Sequence, residues 1–376
     1  MEPLASLIAE LVALDSVNPD LVPGGAGERS IASTIAGWLA TRGLEVHLDE
    51  VRPGRPNVIA RARGAGGGPT LMLNGHTDTV GVMGMADPHR PRLAGGRLYG
   101  RGAYDMKGGL AAAMFAVAAA ATRPLRGDVI FTAVMDEEYA GLGTLDVAAR
   151  YRADAAIIAE PTGLELVVAH KGFVWLEVEA RGAAAHGSIP GAPDAIIHMG
   201  RVLAELAALN QQLLARPSHP LLGSGSLHAS LISGGQELSS YPERCLLQIE
   251  RRTIPGETPA QARAELETIV ARLAASDPRI QTVVRSGVDR PPMEAPADAP
   301  IPALIRRYGE ELLGHPIRTT GLPYWTDAAS LAAAGIPTVL FGPSGAGAHA
   351  LEEWVDLESA RQCAELYTRV IAAYCA

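Results

Sequence analysis

Cysteine is nearly absent. Cys245, Cys363 and Cys375 are the three in 376 residues, and no two of them form a Cys-x-x-Cys pair. Such a count gives no disulfide framework, and it points to a reducing, cytoplasmic setting. Aromatic residues are scarce too, at 5%. Positive charge is in deficit: 32 Lys and Arg stand against 41 Asp and Glu, a net charge of −9. That balance opposes attraction to phosphate backbones or anionic lipid, and no basic patch offsets it, so neither nucleic acid nor membrane is expected as a partner. The longest apolar run, Leu110 to Ala121, falls short of the roughly 20 residues that cross a bilayer. The opening MEPLASLIAELVALDS carries an acid where a signal peptide needs positive charge. Its apolar positions recur at helical spacing, which predicts an amphipathic surface helix. Two catalytic signatures are missing as well. The nearest approach to a Gly-x-Ser-x-Gly elbow, Gly342 to Ala346, ends in Ala, and no phosphate-binding glycine fingerprint follows a strand. The Gly-rich GAGGG at 64–68 precedes a strand and reads as a hairpin loop.

What is present is a turn-rich, core-forming composition, with 48% hydrophobic residues, 41 glycines and 27 prolines. At roughly 150 residues per domain the length suits two domains. Short apolar runs bounded by turn residues predict strands at 57–61, 70–73, 129–135, 155–159 and 338–341. Helical stretches lie between them at 28–41, 109–121, 143–150 and 326–334. This alternation predicts an α/β domain with a mostly parallel sheet flanked by helices on both faces. The middle reads differently: strand 174–180, helix 192–215, strands 227–233 and 245–252, helix 259–275, strand 280–285. That order is the ferredoxin-like α+β pattern. Asp289 to Pro300, rich in Pro and acid, then reads as a hinge. The expected organisation is a discontinuous catalytic domain, 1–169 and 289–376, with an inserted domain at 170–288.

The chemistry-bearing residues follow the strands. TLMLN runs into His76, Thr77 and Asp78; VIFTAVM into Asp136, Glu137 and Glu138; AAIIA into Glu160; and PTVLFG into a Gly-rich loop ending at His349. Asp105, in GRGAYDMKGG, precedes the helix that follows it. The carboxyl ends of parallel strands share one edge, where α/β proteins bind ligands. Singly, each of these residues has an ordinary reading as a surface pair, a solvated acidic face or a turn. Together His76, His349, Asp78, Asp105, Glu137, Glu138 and Glu160 put two imidazoles and five carboxylates on one edge, a density of acid that calls for cations. Imidazole and carboxylate without thiolate suit zinc, or cobalt or manganese.

The motifs GHTDTV, GRGAYDMKGG, DEE, AEPT, AAHGSIP and GPSGAGAH occur in that order over about 70–355. They resemble the aminoacylase, carboxypeptidase G, acetylornithine deacetylase and succinyl-diaminopimelate desuccinylase family of co-catalytic zinc hydrolases. The resemblance implies a two-zinc amidohydrolase with an inserted lid and dimerisation domain, acting as a homodimer. It implies that Asp105 bridges two Zn2+, for which Co2+ or Mn2+ could substitute. His76 and Glu160 would complete one site, Glu138 and His349 the other. Glu137 would be the general base, and Asp78 would accept the second imidazole N–H of His76. Spacing alone leaves open which of Glu137 and Glu138 is ligand and which is base.

From the inserted domain the resemblance implies that His186 stabilises the developing oxyanion and Arg252 pairs with the substrate carboxylate. Thr326 and Asp327 match a Ser/Thr-Asp element, and Tyr324 and Trp325 beside them suggest an apolar acyl pocket, with core packing as the alternative reading. Two positions depart from the family pattern: Ser239 stands where many members have Asn, and Glu250 where Asp is common. The expected reaction is hydrolysis of the amide of an N-acyl amino acid. A dipeptidase or exo-carboxypeptidase is the alternative, and a non-catalytic metal- or ligand-binding homologue the remote one.

Overall fold

The computed structural model describes residues 3–376 and divides into two compact units. The first comprises the chain up to Val168 together with Ala295–Thr320 and Thr326–Ala376; the second comprises Ala169–Glu294 and Gly321–Trp325.

The first unit is built on a sheet whose centre is four parallel strands, in the order Val129–Val134, Leu71–His76, Ala155–Ile158, Thr338–Leu340. Antiparallel strands Glu45–Arg52 and Arg55–Ala62 extend one side. Near-continuous apolar runs form these central strands because both of their faces are covered. Leu71, Leu73, Val129, Phe131, Ala155 and Ile157 join the main core. Their alternates Met72, Ile130, Ala156 and Ile158 are buried on the opposite face.

Helix Gly108–Ala120 is apolar on almost every side and is buried accordingly. It packs against helix Leu357–Tyr374, which was not read from the sequence. That C-terminal helix presents Ala360, Cys363, Leu366, Tyr367, Val370 and Ile371 as one buried stripe, with Asp356 capping Ser359 N. Each large aliphatic side chain so buried contributes about 1.5–3 kcal/mol. The N-terminal helix Pro3–Val12 buries Leu4, Leu7, Ile8, Leu11 and Val12 in the same core; Met1 and Glu2 lie outside the described residues. No helix among the described residues is long and apolar enough to cross a membrane.

The glycine run at 64–68 is not a hairpin loop. The strands it joins, Arg55–Ala62 and Leu71–His76, are separated in the sheet by Val129–Val134. The loop instead crosses over residues 125–128, taking hydrogen bonds from Ala65 N to Leu125 O and from Gly66 N to Arg126 O. A Cβ at Gly64 would stand 2.4 Å from Arg126 O, and one at Gly68 would stand 2.4 Å from Gly127 N, so close main-chain passage is what demands glycine here.

The second unit is a four-stranded antiparallel sheet in the order Ser226–Gly234, Arg244–Thr253, Gly172–Arg181, Gln281–Arg290. Val174, Leu176, Val178 and Ala180 alternate onto one face. There they pack with Met199, Val202 and Leu206 of helix Ala195–Leu214 and with Leu266 and Ile269 of helix Pro259–Ser276. Thr258 and Gln261 form a capping box at the start of the latter helix. The last strand continues past 285 through a register shift between Ser286 and Asp289. Asp289 and Arg290 therefore belong to the strand rather than to a hinge.

Candidate metal centre

His76 ends its strand, and the register beside it pairs His76 with Val134 and Asn74 with Ile158. The turns after Val134 and Ile158 thus emerge on the same edge as His76. Close glycine contacts hold this edge. A Cβ at Gly109 would meet Ala159 O at 1.9 Å, and one at Gly342 would meet Glu160 O at 2.0 Å, so the strand end bearing Glu160 is gripped by main chain on both sides.

Two groups of side chains converge there. His76 Nε2 lies 3.1 Å from Asp105 Oδ1 and 3.8 Å from Glu160 Oε1. His349 Nε2 lies 3.1 Å from Glu138 Oε2 and 3.4 Å from Asp105 Oδ2. Within each group the potential ligand atoms all lie within 4.8 Å of one another, and Asp105 belongs to both. Glu137 belongs to neither group.

The electrostatics are those of an acid-rich cluster short of cations. Burial, reinforced by Glu160, Asp327 and Glu138, drives Glu137 well above the carboxylate range against the pull of His76. Burial also raises Glu138 and Glu160. It opposes charge on His76, yet Asp105, Glu160 and Glu137 hold that imidazole well above its ordinary pKa. Hydrogen bonds to Asp105 and Glu138 push His349 up to about 10. Protons thus gather where positive charge is needed. Glu138 Oε1 is buried without a hydrogen-bond partner, a costly state that a cation would relieve. This donor set of two imidazoles and three carboxylates fits a pair of divalent cations.

His76 meets Asp78 more closely through the main chain than through the carboxylate. His76 Nδ1 lies 2.9 Å from the main-chain carbonyl of Asp78, whereas the Asp78 carboxylate is 3.6 Å away. That carboxylate instead accepts the main-chain N–H groups of Glu137 and Glu138, each at 3.1 Å. Asn18, which the sequence reading missed, donates to both Asp78 (2.8 Å) and Asp136 (3.0 Å). Arg55 was missed too; it forks onto Glu28 through bonds of 2.7 and 2.6 Å and reaches Asp136 at 3.2 Å. Asp136 sits at φ 70, an unfavourable conformation for a non-glycine residue that these bonds hold in place.

The remaining expected residues divide between the units. In the first, Thr326 Oγ1 accepts the Ala328 N–H at the start of helix Ala328–Ala333, and Asp327 Oδ2 accepts the Thr144 hydroxyl at 2.7 Å. Asp327 Oδ1 is buried and unpartnered. In the second, exposed His186 receives the Ser188 N–H on Nδ1, which leaves Nε2 as the protonated, donating nitrogen. Arg252 donates to Glu250 at 2.7 Å and lies over the Phe173 ring. Trp325 stands edge-on to Phe173 with Arg290 over its own ring, and Tyr324 is half exposed.

Two histidine–carboxylate groups joined by one aspartate on the carboxyl edge of a parallel sheet are the build of a metal-dependent hydrolase. The sequence comparison carries this further: residues 72–373 match Peptidase family M20/M25/M40, and the chain belongs to that family. It is 31% identical over 386 residues to acetylornithine deacetylase of Myxococcus xanthus, covering 99% of this chain and 97% of that protein. It is 29% identical over 389 residues to N-formyl-4-amino-5-aminomethyl-2-methylpyrimidine deformylase of Bacillus subtilis (strain 168), covering 94% and 91%. Among solved structures, aminopeptidase PepT of Bacillus cereus ATCC 10987 shares the fold with a TM-score of 0.79 at 20% identity, covering 98% of this chain and 97% of that one. A Bacillus subtilis dinuclear metal binding peptidase of family M20 does so with a TM-score of 0.75 at 16% identity, covering 99% and 98%.

Proposed function

We propose that this hydrolase removes the acyl group from an N-acyl amino acid, using two divalent cations, zinc in the first instance. The observation that carries the reading is the sharing of Asp105 between the two ligand groups. The choice of deacylation over peptide cleavage rests on the two sequence relatives, one named a deacetylase and the other a deformylase. Peptidases enter through the family description and through fold likeness, and dipeptide hydrolysis is the second reading to be tested.

In this proposal His76, Asp105 and Glu160 hold one cation, and Asp105, Glu138 and His349 the other. Cations bound there would polarise the scissile carbonyl and make water a better nucleophile near neutral pH. Glu137, outside both groups and raised in proton affinity by burial, takes the proton of the attacking water and returns it to the departing amine. Asp78 holds the Glu137–Glu138 main chain while this happens. Arg252 would pair with the substrate carboxylate and His186 Nε2 would donate to the developing oxyanion. Edge strand Ser226–Gly234 exposes Leu231 and Ile232 beside unpaired main-chain groups, which supports a homodimer formed through the second unit.

The test is a panel of N-acetyl, N-formyl and N-succinyl amino acids assayed beside free dipeptides, with and without chelator. Metal-dependent release of the acyl group is expected. A dipeptide preferred over every acylated substrate would replace the deacylase reading, and turnover that survives complete metal removal would end both.

A further inference from the structure

Glu353 lies four residues beyond His349, in the doublet Glu352-Glu353. Its side chain is 1% exposed and sits against Arg101, itself 2% exposed. Both carboxylate oxygens are fully engaged. Oε2 accepts from Arg101 Nη1 (2.7 Å) and Gly102 N (3.0 Å); Oε1 accepts from Tyr104 N (2.9 Å) and Asp105 N (3.0 Å). With four donors on two oxygens, the group has no free face for a ligand role. Two more bonds join the same stretches: Gly100 N donates to Glu353 O at 3.1 Å, and Arg101 Nη2 to Ala350 O at 2.9 Å. The loop bearing Asp105 and the segment bearing His349 are thereby fastened together behind the ligands.

His349 needs that fastening. Its side chain is 55% exposed, so packing does not fix it, and its φ of 61 is unfavourable for a residue with a Cβ. His76, by contrast, is fully buried at a strand end and hydrogen-bonded through Nδ1. The two ligand groups are therefore held by unequal means.

We infer that Glu353 is a positioning residue that sets the Asp105–His349 spacing and so the cation affinity of the Asp105–Glu138–His349 group in particular. The inference rests on the reading that the two groups hold metal ions. Outer partners of metal ligands typically contribute 10–100-fold in affinity.

The test is Co2+ binding to chelator-treated full-length protein, followed by equilibrium dialysis and by the absorption spectrum of the bound ion. Wild type is compared with Glu353→Gln, whose amide would set an N–H donor against the donors the carboxylate now accepts. Two ions per chain are expected for wild type. For the variant, one ion should keep near-wild-type affinity while the other weakens 10–100-fold, with a changed spectrum for the second ion. Arg101→Lys, which retains the charge beside Glu353 but loses the fork to Ala350, should shift the same ion in the same direction, and it carries the test if Glu353→Gln fails to fold. Two ions bound as in wild type, or an equal loss at both sites, would overturn the positioning role. Wild type that takes up no second ion would overturn the metal reading beneath it, whatever the substrate panel gives.

Discussion

The Asp78 carboxylate receives the Glu137 main-chain N–H at 3.1 Å, so the residue two places after His76 serves the turn of the two glutamates. Asp78→Asn offers one acceptor oxygen where two N–H groups and Asn18 now converge. The expected outcome is a fall in kcat of about 10–100-fold with KM changed little, because the turn that aims Glu137 is loosened while substrate contacts stay. Steady-state kinetics on the best substrate of the panel decides it. A rise in KM with kcat intact would move Asp78 from aiming the base to binding substrate.

Glu137 stands outside both ligand groups, whereas Glu138 Oε2 lies 3.1 Å from His349 Nε2. Glu137→Gln should therefore leave metal content near two ions per chain while turnover falls by about 10²–10⁴-fold, the usual span of a general base. Glu138→Gln should lower metal content. Elemental analysis beside kinetics separates the two, and a Glu137→Gln enzyme of normal rate would remove the base assignment.

Reading which residues follow strands was enough to bring His76, the Glu137–Glu138 pair, Glu160 and His349 to one edge, because in a parallel sheet the register does the gathering, whereas Asp105 stood out through its glycine-flanked motif. His76, Asp105, Glu138, Glu160 and His349 fall into the two groups. The supporting residues left no such trace. Glu353 and Asn57 accept main-chain N–H groups, and a main-chain partner imposes no residue type on the sequence. Asn18 and Arg55 are single polar residues in the first part of the chain whose bonds to Asp78 and Asp136 span 60 or more positions. The glycine run at 64–68 misled because loop composition says nothing of which strand lies between the two it joins. The excursion Gly321–Trp325 into the second unit was equally hidden: Tyr324 and Trp325 belong to one unit and Thr326 and Asp327 to the other, though the four are consecutive.

Metal removal should cost stability as well as activity. The buried carboxylates of Glu138 and Glu160, with Asp105 between the imidazoles, repel one another when no cation is shared. Chelator-treated protein should melt lower, and added Zn2+ or Co2+ should restore the melting temperature. At an ion concentration of about 100 times Kd the recovery corresponds to about 2.7 kcal/mol per site. Equal melting temperatures with and without metal would argue against cation binding at these groups.

Stability should also carry a pH dependence that originates in the second unit. His170 is fully buried, its Nδ1 lies 2.9 Å from Lys171 O, and its Nε2 has no partner. Burial pushes its pKa down from 6.5 to about 4. The folded state thus prefers the neutral ring and the unfolded chain binds the proton more readily. The stability that depends on neutral His170 is complete above about pH 6.5 and is lost progressively as pH falls toward 4, where the loss levels off at roughly 3 kcal/mol. His170→Gln, which cannot titrate, should be less stable than wild type at pH 8 but should lose less on acidification. Chemical denaturation of both proteins at pH 8, 6 and 5 gives the difference curve, in which other titrating groups cancel. Parallel curves across that range would show that His170 does not titrate between the two states.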